Sequence, residues 1–320
     1  MEVLYYISSQ TMYFAIPLLI VAMAGMYSER SGIINIALEG IMVIGAFFGV
    51  GFVSIMQSAG SAMNPHLMLL VAMAIGGAAG GVFSLFHAFA SINLRADQTI
   101  SGTALNMFAP AFAIFVARVI QGIHQVQFSD NFHIKKVPFL GDIPVIGGMF
   151  FRNAYITTYV GIAIYILMTF IINKTRFGLR LRACGEHPQA ADSVGISVSF
   201  IRYMGVIISG VLSGIGGVIF VIPTSTSFNA SVAGYGFLAL AVLIFGQWRP
   251  SKIIMAAFFF GVMKTFAAAY SGIPVLNSLP VPSNVYKMMP YLVTLIVLAF
   301  SSKNSRAPLA EGIPFDKSQR

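Results

Sequence analysis

The chain has 320 residues, of which 57% are hydrophobic and 9% charged, and its 19 Lys and Arg against 10 Asp and Glu give a net charge of +9. An ordinary water-soluble domain carries about 25% charged residues, so this composition excludes one and identifies an integral membrane protein. The basic excess lies in the connections between apolar runs, which makes it a topology signal and leaves no nucleic-acid patch.

In chain order, helices are predicted near 11–28, 32–55, 67–91, 98–120, 154–173, 201–222, 235–247, 251–271 and 286–301. A crossing takes about 20 apolar residues. The seventh and ninth segments fall short of that, so they are tilted, broken or extended by their flanks; a tenth segment is left open. Between Tyr203 and Trp248 no residue is charged, and the polar stretch PTSTSFNASVAG at 223–234 divides that run into two crossings. The runs are continuous, whereas barrel strands alternate apolar and polar residues. The predicted fold is therefore all-α, a single polytopic domain over 1–320 with nine to ten transmembrane helices, each closing its backbone hydrogen bonds internally as lipid demands.

One set of connections holds Arg30, Arg95, Lys174, Arg176, Arg180, Arg182, Arg202, Arg249, Lys252, Lys303, Arg306, Lys317 and Arg320; the opposite set holds mainly Lys135, Lys136, Arg152 and Lys287. The positive-inside rule makes the first set cytoplasmic. That expectation puts the 121–153 loop outside and the 174–200 loop and the 302–320 tail inside. With nine crossings it puts the N-terminus outside. Residues 1–10 lack a basic n-region and a cleavage site, so the first helix is expected to be retained.

Catalytic signatures are missing. There is no G-x-x-x-x-G-K-[ST], H-E-x-x-H or G-x-S-x-G, the histidines are scattered, and Cys184 is the sole cysteine, which excludes an internal disulfide. The glycine clusters at 76–81 (GGAAGG) and 209–217 (SGVLSGIGG) give the small-xxx-small pairs Gly76/Gly80 and Gly210/Gly214, a signature of close helix packing.

Within SERSGIINIALEGIMVIGA, residues 28–46, Ser31, Asn35 and Glu39 recur every four residues and would form a polar stripe on a helix. A carboxylate costs about 3 kcal/mol at mid-membrane, so Glu39 must face a wet cavity, pair with a donor or be protonated. Two readings stand: a buried polar pair that locks helix packing, or the border of a translocation path. Gln98, Gly102 and Asn106 make a second stripe of the same spacing that ends near the helix-bending Pro110. Lys264 either snorkels outward or pairs with Glu39.

In KTRFGLRLRACGEHPQAADSVGISVSFIR, residues 174–202, Pro188 suits a first helical position, Ala190 and Ala191 favour helix, and Gly195 suits the position past its end. A two-turn helix near 188–194 is predicted. It is too short to stand alone. It rests either on anionic lipid, drawn by Arg176, Arg180 and Arg182, or in a protein groove, which Asp192 and Glu186 favour.

The stretches SERSGIINIALEGIMVIGA, DQTISGTALN, RACGEHPQAADSVGIS and GYGFLALAVLIFGQWRPS together resemble the permease subunits of bacterial ABC importers for nucleosides, within the wider group that serves simple sugars and branched-chain amino acids. The match covers roughly residues 11–301. Sugar permeases of that group show a GIDLSVG-like stretch where this chain has GIINIALEG, which favours the nucleoside branch.

The resemblance implies a type II-like importer permease in the cell membrane, a transport subunit without catalysis of its own. It would form half of a path with a second homologous permease. An ATPase subunit with two nucleotide-binding domains would hold the ATP-Mg, and an extracytoplasmic substrate-binding lipoprotein would deliver the nucleoside. The chain itself would bind no cofactor, and lipid would surround it. Coupling to the ATPase would fall to Glu186, Pro188, Ala190, Ala191, Asp192 and Gly195. Asn35, Glu39, Gln98 and Asn106 carry amide and carboxylate groups suited to hydroxyls and base edges along the path. Competing readings are an importer for a simple sugar, riboflavin or a branched-chain amino acid and, outside that class, a secondary transporter with Glu39 as proton carrier.

Overall fold

A computed structural model describes residues 2–269 and 307–317, with 282, 285, 286, 288–290, 292, 293 and 295 between them. Its elements are α1 (Glu2–Glu29), α2 (Leu38–Ser58), α3 (Pro65–Ile92), α4 (Gln98–Gln121), β1 (Val126–Gln127), β2 (His133–Lys136), a 3-10 turn at Leu140–Asp142, α5 (Ile146–Phe150), β3 (Arg152–Tyr155), α6 (Ile156–Lys174), α7 (Arg176–Glu186), α8 (Pro188–Ser193), α9 (Val198–Thr224), β4 (Ser227–Phe228), α10 (Tyr235–Phe245) and α11 (Pro250–Ala269). Among the described residues, seven helices are long and apolar enough to cross a membrane. Most of the predicted segment at 286–301 lies outside the described residues.

Several boundaries follow from local chemistry. Asn64 accepts from the His66 N–H at the start of α3, with Pro65 in the first turn. Asp97 accepts from the Thr99 and Ile100 N–H groups to open α4, and Gly122 closes it in the left-handed region at φ 72°. Thr175 accepts from the Gly178 N–H and starts α7, a helix where only a basic connection had been read.

The glycine clusters do what their spacing implied. A Cβ on Gly214 of α9 would lie 2.1 Å from the Gly76 carbonyl oxygen, and one on Gly45 of α2 would lie 2.3 Å from the Gly214 Cα. Side chains are excluded there, so α2, α3 and α9 meet backbone to backbone. Burial separates an inner from an outer set: 78% of the most apolar window of α9 is buried, against 17% for α4.

Most of the described basic residues gather at one end of the bundle. Arg30 pairs with Glu186 at 3.3 Å, Arg95 with Asp316 at 2.8 Å and Lys317 with Asp192 at 3.4 Å. At the opposite end the 121–155 stretch is ordered by short pairings, not by helix alone. β2 runs antiparallel to β3, with His133 opposite Tyr155, and Tyr155 donates to Asp130 at 2.6 Å. β1 pairs antiparallel with β4, which ties this stretch to the chain leaving α9.

α10 is 11 residues long, about 16 Å at 1.5 Å per residue, or roughly half of a ~30 Å hydrocarbon core. The seventh predicted segment is thus a half-helix. It begins inside the bundle and runs to the basic end, where Trp248 beyond its end donates to Glu29 of α1.

Candidate functional site

The first polar stripe was read on a helix from residue 32, and the structure corrects this. Residues 30–37 are non-helical and α2 starts at Leu38, so Ser31 and Asn35 stand on a broken stretch and only Glu39 is helical. Gly32 turns the chain at φ +98°. The apolar run Ile33–Ile36 hid the break, because it fits a helical pattern as well as a buried loop.

The second stripe stands on α4 as read, and it supplies what the break lacks. Gln98 Oε1 accepts from the Ile34 N–H at 2.7 Å. Asn106 donates from Nδ2 to the Ile36 carbonyl at 2.8 Å and accepts at Oδ1 from the Gly40 N–H at 2.7 Å. Gly102, between them, lets the helices close: a Cβ there would meet the Ala37 nitrogen at 3.1 Å. From α3, His87 Nε2 lies 2.8 Å from the Ile34 carbonyl and Nδ1 lies 3.0 Å from Ser101 Oγ. A carbonyl only accepts, so Nε2 carries the proton and Nδ1 accepts from the serine. Non-helical backbone at membrane depth needs such partners. His87 is one of the scattered histidines, and its contact with Ile34 has no signature in the chain.

Asn35 is fully buried and donates to Ser209 Oγ of α9 at 2.9 Å. Gln98 is also buried, whereas Glu39 and Asn106 are half-buried.

Glu39 joins the two breaks of the bundle. Its Oε1 accepts from the Gly234 N–H at 2.9 Å and its Oε2 from the Gly236 N–H at 2.6 Å, at the open N-terminus of α10. It also occupies the first turn of its own helix. Two helix N-termini therefore converge on one carboxylate, where their unpaired N–H groups and dipoles favour negative charge. A Cβ on Gly236 would lie 2.4 Å from the Glu39 nitrogen, so only glycine permits the approach. Lys264 of α11 places Nζ 5.3 Å from the centre of the Tyr235 ring, a cation–π distance, and lies within electrostatic reach of Glu39. It reaches toward the Tyr235 ring.

The stretch leading down to Gly234 had been read only as a polar break. After β4 it exposes Asn229, Ser231 and Ala233, and before it Thr224 and Thr226, while Phe228, Ala230 and Val232 turn inward. A row of uncharged hydrogen-bonding groups thus descends from the end opposite the basic residues to the Glu39 joint.

At the basic end, α8 spans Pro188–Ser193 as read, and Gly195 follows at φ +82°. Pro188 and Ala191 are buried; Gln189, Ala190, Ser193, Val194 and Gly195 are exposed. Asp192 holds Lys317, and Glu186, the last residue of α7, holds Arg30. Cys184 is buried, and burial pushes its thiol up to about 11.

Residues 7–298 match the family model described as branched-chain amino acid transport system / permease component. The chain is 42% identical, over 100% of its length and 99% of the relative's, to the guanosine ABC transporter permease protein NupQ of Bacillus subtilis. It is 41% identical to the nucleoside ABC transporter permease protein NupC of Lactococcus lactis, covering 96% of this chain and 95% of that one. A more distant relative, at 24% identity over 89% of this chain and 77% of the other, is the guanosine ABC transporter permease protein NupP of Bacillus subtilis. This multi-pass, all-α chain belongs to the family of permease components of branched-chain amino acid transport systems.

Proposed function

We propose that the chain is the membrane permease of an ATP-driven nucleoside importer, working beside a second, related permease and moved by a separate ATPase subunit with two nucleotide-binding domains. The carrying observation is the 42% identity, end to end, with a guanosine permease. That the same organism has a second guanosine permease, far less similar to this chain, supports a pair of unlike permeases. ATP-Mg belongs to the ATPase and the solute arrives on an extracytoplasmic binding lipoprotein.

The basic end faces the cytoplasm in this reading. There α8 is the coupling helix. Ala190 and Gly195, with the neighbouring Gln189 and Val194, meet the ATPase, while Pro188, Ala191, Asp192 and Glu186 hold the helix to the permease. Movement of α8 opens the path first to one side and then to the other. A neutral nucleoside offers hydroxyls and base edges, which the exposed Thr226, Asn229 and Ser231 match as weak transient partners. Glu39 and Asn106 border the same path at its floor; Asn35 and Gln98 act behind them by holding its wall.

Glu39 as a proton carrier fits less well, because both of its oxygens are committed to backbone N–H groups of α10. Reconstitution decides between the readings. With both permeases, the ATPase and the binding protein in proteoliposomes, guanosine uptake should require ATP, and deletion of 188–194 should abolish it. Uphill uptake by this chain alone, without nucleotide, defeats the proposal.

A further inference from the structure

Residues 307–317 cross the basic end of the bundle and bond to five separate parts of it. The Ala310 N–H donates to the Gly185 carbonyl at the end of α7 at 2.8 Å, and the Gly312 N–H donates to the Gly32 carbonyl of the broken stretch at 3.1 Å. Arg202 of α9, fully buried, donates from Nη1 to the Ile313 carbonyl at 3.0 Å. The Leu309 N–H points to Glu186 Oε2 at 3.4 Å, Asp316 pairs with Arg95 in the connection between α3 and α4, and Lys317 pairs with Asp192 of α8.

The two bonds to Gly185 and Gly32 run from backbone to backbone. A Cβ on Gly185 would lie 2.3 Å from the Arg30 carbonyl oxygen, and one on Gly32 would lie 2.8 Å from Arg202 Nη2 and 3.2 Å from the Ala310 carbonyl oxygen. A Cβ on Gly312, which has φ +77°, would lie 2.8 Å from Ile34 Cδ1. Three backbones therefore bear directly on one another. Close-packed backbone transmits displacement with little slack, and Ile34 is the residue that Gln98 and His87 hold beside Asn35.

We propose that segment 307–317 is a coupling strap, which carries motion of α8 and the end of α7 to the broken stretch 30–37 and so to the Asn35–Glu39 wall. A contiguous network of this kind has its two ends in different moving parts: Lys317 on α8, and Gly312 on the break. The role is one of positioning, and it rests on the importer reading given above.

The test uses the complete importer in proteoliposomes, with guanosine as solute and two variants of this chain: one ending after Ala307, and Ala310→Pro, which removes the N–H given to Gly185 and stiffens the backbone at that point. ATP hydrolysis should stay within about twofold of the parent complex while uptake per ATP falls by about tenfold, an ordinary coupling effect. An unchanged ratio in both variants overturns the strap. So does loss of assembly in both, because the segment is then a static brace. Uptake by the parent complex without ATP would instead defeat the importer reading, so the two failures are distinguishable.

Discussion

Two non-helical stretches among the described residues, 30–37 and 225–234, are finished in opposite ways. Residues 30–37 are sealed, with Ile34 and Ile36 served by His87, Gln98 and Asn106 and with Asn35 buried against Ser209. Residues 225–234 are open, with Asn229 and Ser231 exposed along their descent. Irregular backbone survives at membrane depth only where protein buries it or it lines a water-filled cavity; the first stretch is buried by protein, whereas the second exposes part of its length. The difference separates a joint from a wall. Glu39, bonded to Gly234 and Gly236, is where they meet.

The largest effects should come from breaking the joint. Asn106→Leu strands the Gly40 N–H and the Ile36 carbonyl, and Glu39→Ala strands the Gly234 and Gly236 N–H groups, at about 1–3 kcal/mol for each buried group left unpaired. Both should lower the melting temperature of purified protein and nearly abolish uptake. Glu39→Gln keeps one acceptor and should fall between Glu39→Ala and the parent. If melting stays at the parent value for Asn106→Leu, the sealed stretch does not depend on α4.

Much of this joint was visible in the chain, but only one half of it. Gln98, Gly102 and Asn106 sit four apart on a helix announced by Asp97, so their common face could be read directly. What they face could not, because Ile34 and Ile36 are apolar residues whose polar function lies in backbone groups and whose partners lie 64 and 70 positions away. The strap was hidden for the same reason: Ala310 and Gly312 act through their N–H groups, and only the glycines at 32, 185 and 312 marked the crossing. α7 has a local signal, the Thr175 hydroxyl three residues before Gly178. α8, by contrast, was legible from Pro188 to Gly195, because proline and glycine act locally.

Changes to the open wall should separate binding from stability. Thr226→Val and Asn229→Ala alter exposed groups, so melting should shift by no more than about 0.5 kcal/mol in stability terms. The uptake KM for guanosine should rise by about fivefold or more if each group gives a net hydrogen bond of roughly 1 kcal/mol. A change in melting without a change in KM would make this stretch a second joint and erase the contrast with 30–37.

The smallest effect concerns pH at the strap. Glu311 faces Glu29 of α1 and Arg30, with Glu186 of α7 nearby through Leu309 and Trp248 bonded to Glu29. Burial pushes its carboxyl from the ordinary 4.5 up to about 7, although a hydrogen bond from Glu29 and the charge of Arg30 pull the other way. The docked strap therefore holds a proton more tightly than a released one. Docking should be strongest below about 4.5, weaken as pH rises toward 7 and change little above it. Amide exchange at Ala310 and Gly312, corrected for the intrinsic effect of pH, should accelerate across that window in the parent chain. In Glu311→Gln, which removes one of the two interacting carboxyls, the acceleration should be smaller than in the parent, so an equal acceleration in both chains would show that Glu311 is not the titrating group.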